Sequence, residues 1–154
     1  MIKFFLNQQL YIMSLKVLIT DDDEMAIFFQ KIIILESKFT HEIISFTNGW
    51  ETFDYLKNNY KSVDEYFIFL DINMPLMNGW ELLNEINKYE FSAQVYVAMV
   101  SSYSAVKDKE AKAKYKQIVY LFEKPVTREI CLQLMELPVL AKYFKNPVSP
   151  EELD

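Results

Sequence analysis

Four acids stand in a row at Asp21, Asp22, Asp23 and Glu24, directly behind the apolar stretch Val17-Leu18-Ile19 and Thr20. A further carboxylate, Asp71, follows the run Tyr66 to Leu70 without a gap. Two hydroxyls, Ser101 and Ser102, close the run Val95 to Val100, and Lys124 with Pro125 comes just after Ile118 to Phe122. Carboxylates packed together repel one another unless a cation neutralises them. A hard divalent ion such as Mg2+ suits that role, since it takes oxygen ligands and keeps several waters. A carboxylate nucleophile, Mg2+, a hydroxyl and an ammonium together are the groups that stabilise a phosphoryl group in transfer. Taken singly, each has a plainer reading. Asp23 and Glu24 fit an N-cap with acids near a helix start, Asp71 before Asn73 and Pro75 fits turn chemistry, and Ser101-Ser102 fits an ordinary loop. Four strand ends all carrying the matching group argue for the joint reading.

Those groups need elements that bring them together. Short apolar runs lie at 15–19, 43–46, 66–70, 95–100 and 118–122, several of them apolar at nearly every position. Such runs mark strands buried on both faces of a parallel sheet. Between them, amphipathic stretches recur at helical spacing: Met25, Phe28, Phe29, Ile32 and Leu35; Phe53, Leu56 and Tyr60; Leu82, Leu83 and Ile86; Ile130, Cys131, Leu134 and Leu137. The stretch 107–116 has good helix formers but few large apolar residues, which predicts a short, loosely held helix. The pattern is (βα)5, an α/β domain with helices on both faces, and right-handed crossovers leave its five parallel strands a few orders, of which 2-1-3-4-5 is the commonest at this size. In such a sheet ligands bind beyond the carboxyl ends of the strands. If strands 1 and 3 are neighbours, Asp21, Asp22 and Asp71 converge. Both glycines, Gly49 and Gly79, lie in the tetrapeptide Asn-Gly-Trp-Glu, which reads as a shared way of starting a helix.

Composition narrows the classes. The 154 residues carry a net charge of −6 and are 51% hydrophobic, enough for one buried core and too apolar for disorder. No apolar run approaches the ~20 residues of a membrane helix, and the acidity argues against DNA binding through phosphate contacts. The single cysteine, Cys131, excludes an intrachain disulfide and a cysteine zinc cluster, and fits the core and a cytoplasmic setting. The only histidine, His41, precedes the second strand and is expected exposed, which removes Ser–His and Cys–His hydrolysis.

The stretches Val17-Leu18-Ile19-Thr20-Asp21-Asp22-Asp23-Glu24, Phe69-Leu70-Asp71-Ile72-Asn73-Met74-Pro75-Leu76-Met77-Asn78-Gly79, Met99-Val100-Ser101-Ser102 and Glu123-Lys124-Pro125 resemble the receiver domain of two-component response regulators. The resemblance implies a flavodoxin-like doubly wound fold. It implies that Asp71 accepts a phosphoryl group from a sensor histidine kinase or a histidine phosphotransfer protein. It further implies that Asp22, Asp71 and the Asn73 backbone carbonyl hold Mg2+, with Asp21 acting through water. Ser101, with Ser102 beside it, takes the place of the switch hydroxyl, Lys124 that of the phosphoryl-binding lysine, and the Lys124–Pro125 bond is expected cis. One position departs. Where the family carries an aromatic switch this chain has Leu121, and alternation turns Tyr120 and Phe122 to the other face.

The expected organisation is an N-terminal extension over 1–14 (or a start placed too early), a receiver domain over 15–140 and a short tail over 141–154. So short a tail leaves the domain to act through a downstream protein partner, either by binding it or by phosphorelay. No enzyme activity is expected beyond self-phosphorylation and autodephosphorylation. The 107–116 stretch has five lysines against two acids, a partner-facing surface or simply a solvated one. Asn73 and Tyr103 take the places that flank the approach of water, so a bulky Tyr103 is expected to lengthen the life of an acyl phosphate. A Mg2+-dependent phosphatase of the haloacid-dehalogenase type is the competing enzyme class, but it wants a second aspartate where Asn73 stands. A phosphorylation-independent scaffold is the third reading.

Overall fold

The computed structural model describes residues 14–101 (Ser101 by its backbone alone), 110 and 112–144. Five parallel strands, β1 (Ser14–Thr20), β2 (Ile43–Phe46), β3 (Asp64–Asp71), β4 (Val95–Ser101) and β5 (Ile118–Glu123), pair in the order β2-β1-β3-β4-β5. Among the described residues, four complete helices flank them: α1 (Glu24–Glu36), α2 (Gly49–Asn59), α3 (Gly79–Ile86) and α4 (Arg128–Met135). Within the 107–116 stretch, Glu110 and residues 112–114 are helical, Tyr115 and Lys116 follow outside the helix, and 107–109 and 111 fall outside the described residues. The expected doubly wound α/β sheet is the observed one.

Alternation along the strands divides the core in two. Leu18, Ile68, Leu70, Val97 and Met99 face α2 and α3, where Phe53, Leu56, Leu82, Leu83 and Ile86 meet them. Val17, Ile19, Phe67, Phe69 and Ala98 face α1 and α4, where Ile27, Ile34, Cys131 and Leu134 pack. Every residue of β3 is buried, as the unbroken apolar run predicts for the central strand. Residues 141–144, expected as the start of the tail, pack on the domain. Tyr143 and Lys142 both reach the buried Glu65 carboxylate, and the Phe144 ring lies 5.1 Å from that of Phe39.

The stripe on α1 reverses the sequence reading. Met25, Phe28, Phe29, Ile32 and Leu35 face solvent, and Ile27, Gln30 and Ile34 face the sheet. The helix is apolar on nearly all sides, so periodicity defines a stripe without saying which stripe is buried. Both Asn-Gly-Trp-Glu tetrapeptides do start helices. Asn48 accepts from the Glu51 amide and Asn78 from the Glu81 amide, each at 2.9 Å, and Glu81 closes a capping box.

Leu76 sits at φ 67° in the loop between β3 and α3, with 86% of its surface exposed. The left-handed region crowds a Cβ, at a cost of about 1–2 kcal/mol, and Leu76 gains no burial in return. Leu76→Asn is therefore expected to raise stability by about 0.5–1 kcal/mol in urea unfolding, since asparagine tolerates that conformation. A lower denaturation midpoint for the variant would contradict the strain.

Candidate functional site

Parallel pairing sets Thr20 of β1 beside Leu70 of β3, so the next residues, Asp21 and Asp71, emerge side by side at the carboxyl edge. Asp71 in turn pairs with Val100 of β4. Carboxylate oxygens of Asp21, Asp22 and Asp71 lie within 4.8 Å of one another. Asp21 and Asp71 are buried and Asp22 is exposed, so the cluster opens to solvent on the Asp22 side. The Lys124 ammonium reaches in from beyond β5, 3.2 Å from Asp21 Oδ2 and 3.3 Å from Asp71 Oδ2.

Backbone and side-chain donors fix the carboxylates. The Asp23 amide donates to Asp21 Oδ1 at 2.9 Å, and Gln30 Nε2 donates to Asp21 Oδ2 at 3.2 Å. The Asn73 amide donates to Asp71 Oδ1 at 3.2 Å. Asp23 itself caps α1, accepting from the amides of Met25 and Ala26, so the plainer reading holds for that residue. Gln30 was missed by sequence reasoning. Its signal was a lone amide in the middle of an otherwise apolar helix, nine residues beyond Asp21.

Burial, then the charge of Asp21, push the Asp71 carboxyl up to about 6, with Lys124 and the Asn73 amide pulling against them. Burial works against the charge on Lys124, but Asp21 and Asp71 outweigh it and hold the ammonium above its ordinary range. Among the described residues one ammonium, paired with Asp21 and Asp71, stands against a cluster of three carboxylates. This oxygen-only donor set, open on one side, fits a hard divalent cation.

The remaining predicted residues distribute as follows. The β4 strand ends at Ser101, one residue past the partner of Asp71; Ser102 and Tyr103 lie outside the described residues. The Lys124–Pro125 bond is cis. Leu121 packs with the α2/α3 core, whereas Tyr120 and Phe122 pack with the α1/α4 core, so no ring of β5 points where the family's aromatic switch would. His41 is exposed and Cys131 buried, away from the acidic cluster.

The family model of the response regulator receiver domain matches residues 17–136. The chain belongs to that family. A two-component response regulator of Cytophaga hutchinsonii is 28% identical to this receiver domain, with TM-score 0.71 over 79% of this chain and 93% of that one. One from Legionella pneumophila is 25% identical, with TM-score 0.69 over 83% and 98%. CheY of Borrelia burgdorferi, crystallised with CheX, BeF3 and Mg2+, shares the fold at 24% identity, with TM-score 0.65 over 87% and 90%. No curated protein matches the sequence. No helix among the described residues of the receiver is long and apolar enough to cross a membrane.

Proposed function

We propose that this receiver accepts a phosphoryl group on Asp71 from a phosphohistidine of a sensor histidine kinase or phosphotransfer protein in the cytoplasm. The observation that carries the reading is the convergence of Asp21, Asp22, Asp71 and Lys124 from three strand ends on one point. An Asp71 carboxylate oxygen attacks phosphorus, the P–N bond breaks, and the freed imidazole takes up a proton. An acyl phosphate remains on Asp71. Lys124, already paired with Asp71, neutralises charge on the phosphoryl oxygens. Asp22, Asp71 and the Asn73 carbonyl would hold Mg2+, with Asp21 through water; the bound ion would offset the repulsion among the carboxylates and the phosphoryl oxygens. The Asn73 amide holds the loop against Asp71 Oδ1.

Downstream, the acyl phosphate shifts the surface formed by 101–125, which then binds a partner or passes the group onward. Leu121 cannot supply a swinging ring, so the change starts from the Ser101 loop. The module is a switch, with self-phosphorylation and autodephosphorylation as its only chemistry.

Incubation with acetyl phosphate and Mg2+, followed by intact-mass measurement, tests this. One added phosphoryl group is expected on the wild type and none on Asp71→Asn. An unmodified wild type would mean a scaffold, and steady turnover of phosphate esters would mean a phosphatase.

A further inference from the structure

Gln30 is a buried amide at a position where an apolar side chain would serve the core. It lies on the sheet-facing side of α1 between Ile27 and Ile34, with 7% of its surface exposed. A buried amide costs free energy unless it is hydrogen-bonded, whereas leucine there would leave no polar group to satisfy. The bond that Gln30 makes is to Asp21, whose Oδ2 accepts from Nε2 at 3.2 Å.

That oxygen already has a donor. The Lys124 ammonium reaches the same Oδ2 at 3.2 Å and Asp71 Oδ2 at 3.3 Å, while the Asp23 amide donates to Oδ1. In the unmodified protein Gln30 is thus a second donor to an oxygen that the ammonium already serves. An acyl phosphate on Asp71 changes the count. Negative charge moves from the carboxylate onto phosphoryl oxygens farther out, and the flexible lysine follows it as a mobile point charge. Its bond to Asp21 then lengthens or breaks. Asp21 has 1% of its surface exposed, so solvent is poorly placed to replace the ammonium. The cleft of about 140 Å3 that Gln30 and Lys124 share offers little help, because its other walls are Ala26, Phe29, Val100, Pro125 and Val126. A water held there would need several polar partners.

We propose that Gln30 is a positioning residue for phosphoryl transfer: it holds Asp21 Oδ2 when Lys124 turns to the phosphoryl group, and so frees the lysine to leave. The inference rests on the proposed acceptor role of Asp71. Without the Gln30 amide, the phosphorylated state would bury a carboxylate oxygen with no donor, an arrangement that is costly. The unmodified protein would still have Lys124 on that oxygen. Gln30 therefore acts on the transfer step and not on the resting cluster. Cation binding before transfer leaves Lys124 in place, so it is expected to be indifferent to the amide.

Gln30→Met keeps an unbranched side chain of similar length and removes the donor; Gln30→Leu is the second variant, and circular dichroism confirms that both are folded. Each is expected to take up phosphoryl groups from acetyl phosphate at saturating Mg2+ roughly tenfold more slowly than the wild type, followed by intact-mass measurement. Their affinity for Mg2+ alone, from isothermal titration calorimetry, is expected to stay within about twofold of the wild type. Uptake at the wild-type rate overturns the proposal. Equal losses of uptake and of Mg2+ affinity also overturn it, because Gln30 would then be shaping the acidic cluster itself. A wild type that takes up no phosphoryl group overturns the proposed function, and this inference with it.

Discussion

Asp71→Asn raises the stability of the metal-free protein near neutral pH by about 1–3 kcal/mol, although it removes the proposed acceptor. Burial and the neighbouring Asp21 lift the Asp71 carboxyl to about 6 from an ordinary 3.8. The folded protein therefore binds that proton more tightly than the unfolded chain does. Its contribution to stability is complete below about pH 4 and is lost as pH rises through about 6. Asparagine carries no charge at any pH and escapes the loss, while Lys124 keeps its contact with Asp21 at 3.2 Å. Wild type and variant should thus unfold at similar urea concentrations near pH 4 and separate above pH 6, with the variant the more stable. A gap independent of pH, or a destabilised variant, would sink the argument. If the proposed cation site is right, millimolar Mg2+ narrows the gap by stabilising the wild type.

Gly79→Ala lowers stability by about 2–3 kcal/mol, while Gly49→Ala costs under about 1 kcal/mol, although both residues open a helix in the same tetrapeptide. A Cβ on Gly79 would stand 2.8 Å from the Asp71 carbonyl oxygen and 3.1 Å from Ile72 Cα. Both are backbone atoms, fixed by the hydrogen bonds from the Gly79 amide to Ile72 and from the Ile72 amide to Val100. They cannot yield without moving Asp71. At Gly49 the nearest atoms belong to the flexible side chain of Met77, which can turn aside. Urea unfolding of the two variants compares them directly. The Gly79 variant should also take up phosphoryl groups from acetyl phosphate more slowly, because the displaced backbone carries the proposed acceptor. Equal losses of stability at the two positions would show that the contacts do not discriminate.

Elements with one physical solution were legible before any coordinates. The run Tyr66 to Leu70 has no polar position to turn toward water, so it must lie centrally, and the structure buries all of β3. Asp21, Asp22, Asp71 and Lys124 were legible because each lies within three residues of the end of such a run, and a parallel sheet brings those ends to one edge. Elements with two solutions were not. On α1 the stripe Met25, Phe28, Phe29, Ile32, Leu35 and the stripe Ile27, Ile34 are both apolar, and one of them had to face out. Which one did was settled by how the helix leaves Asp23 and by Gln30, whose amide is spent on Asp21.

The sequence by itself determined the alternation of strands and helices, the residues of the acidic cluster, the two Asn-capped helix starts and the absence of an aromatic at Leu121. Each of these follows from local composition, because burial on both faces and capping are read by a few neighbouring residues. Only the tertiary structure decided that Lys124 bridges Asp21 and Asp71, that Gly79 lies against the Asp71 backbone, that Leu76 is held in the left-handed region, and that the α1 stripe points outward. Those depend on how separate elements meet, and contacts between groups far apart in the chain leave no periodic trace in the sequence.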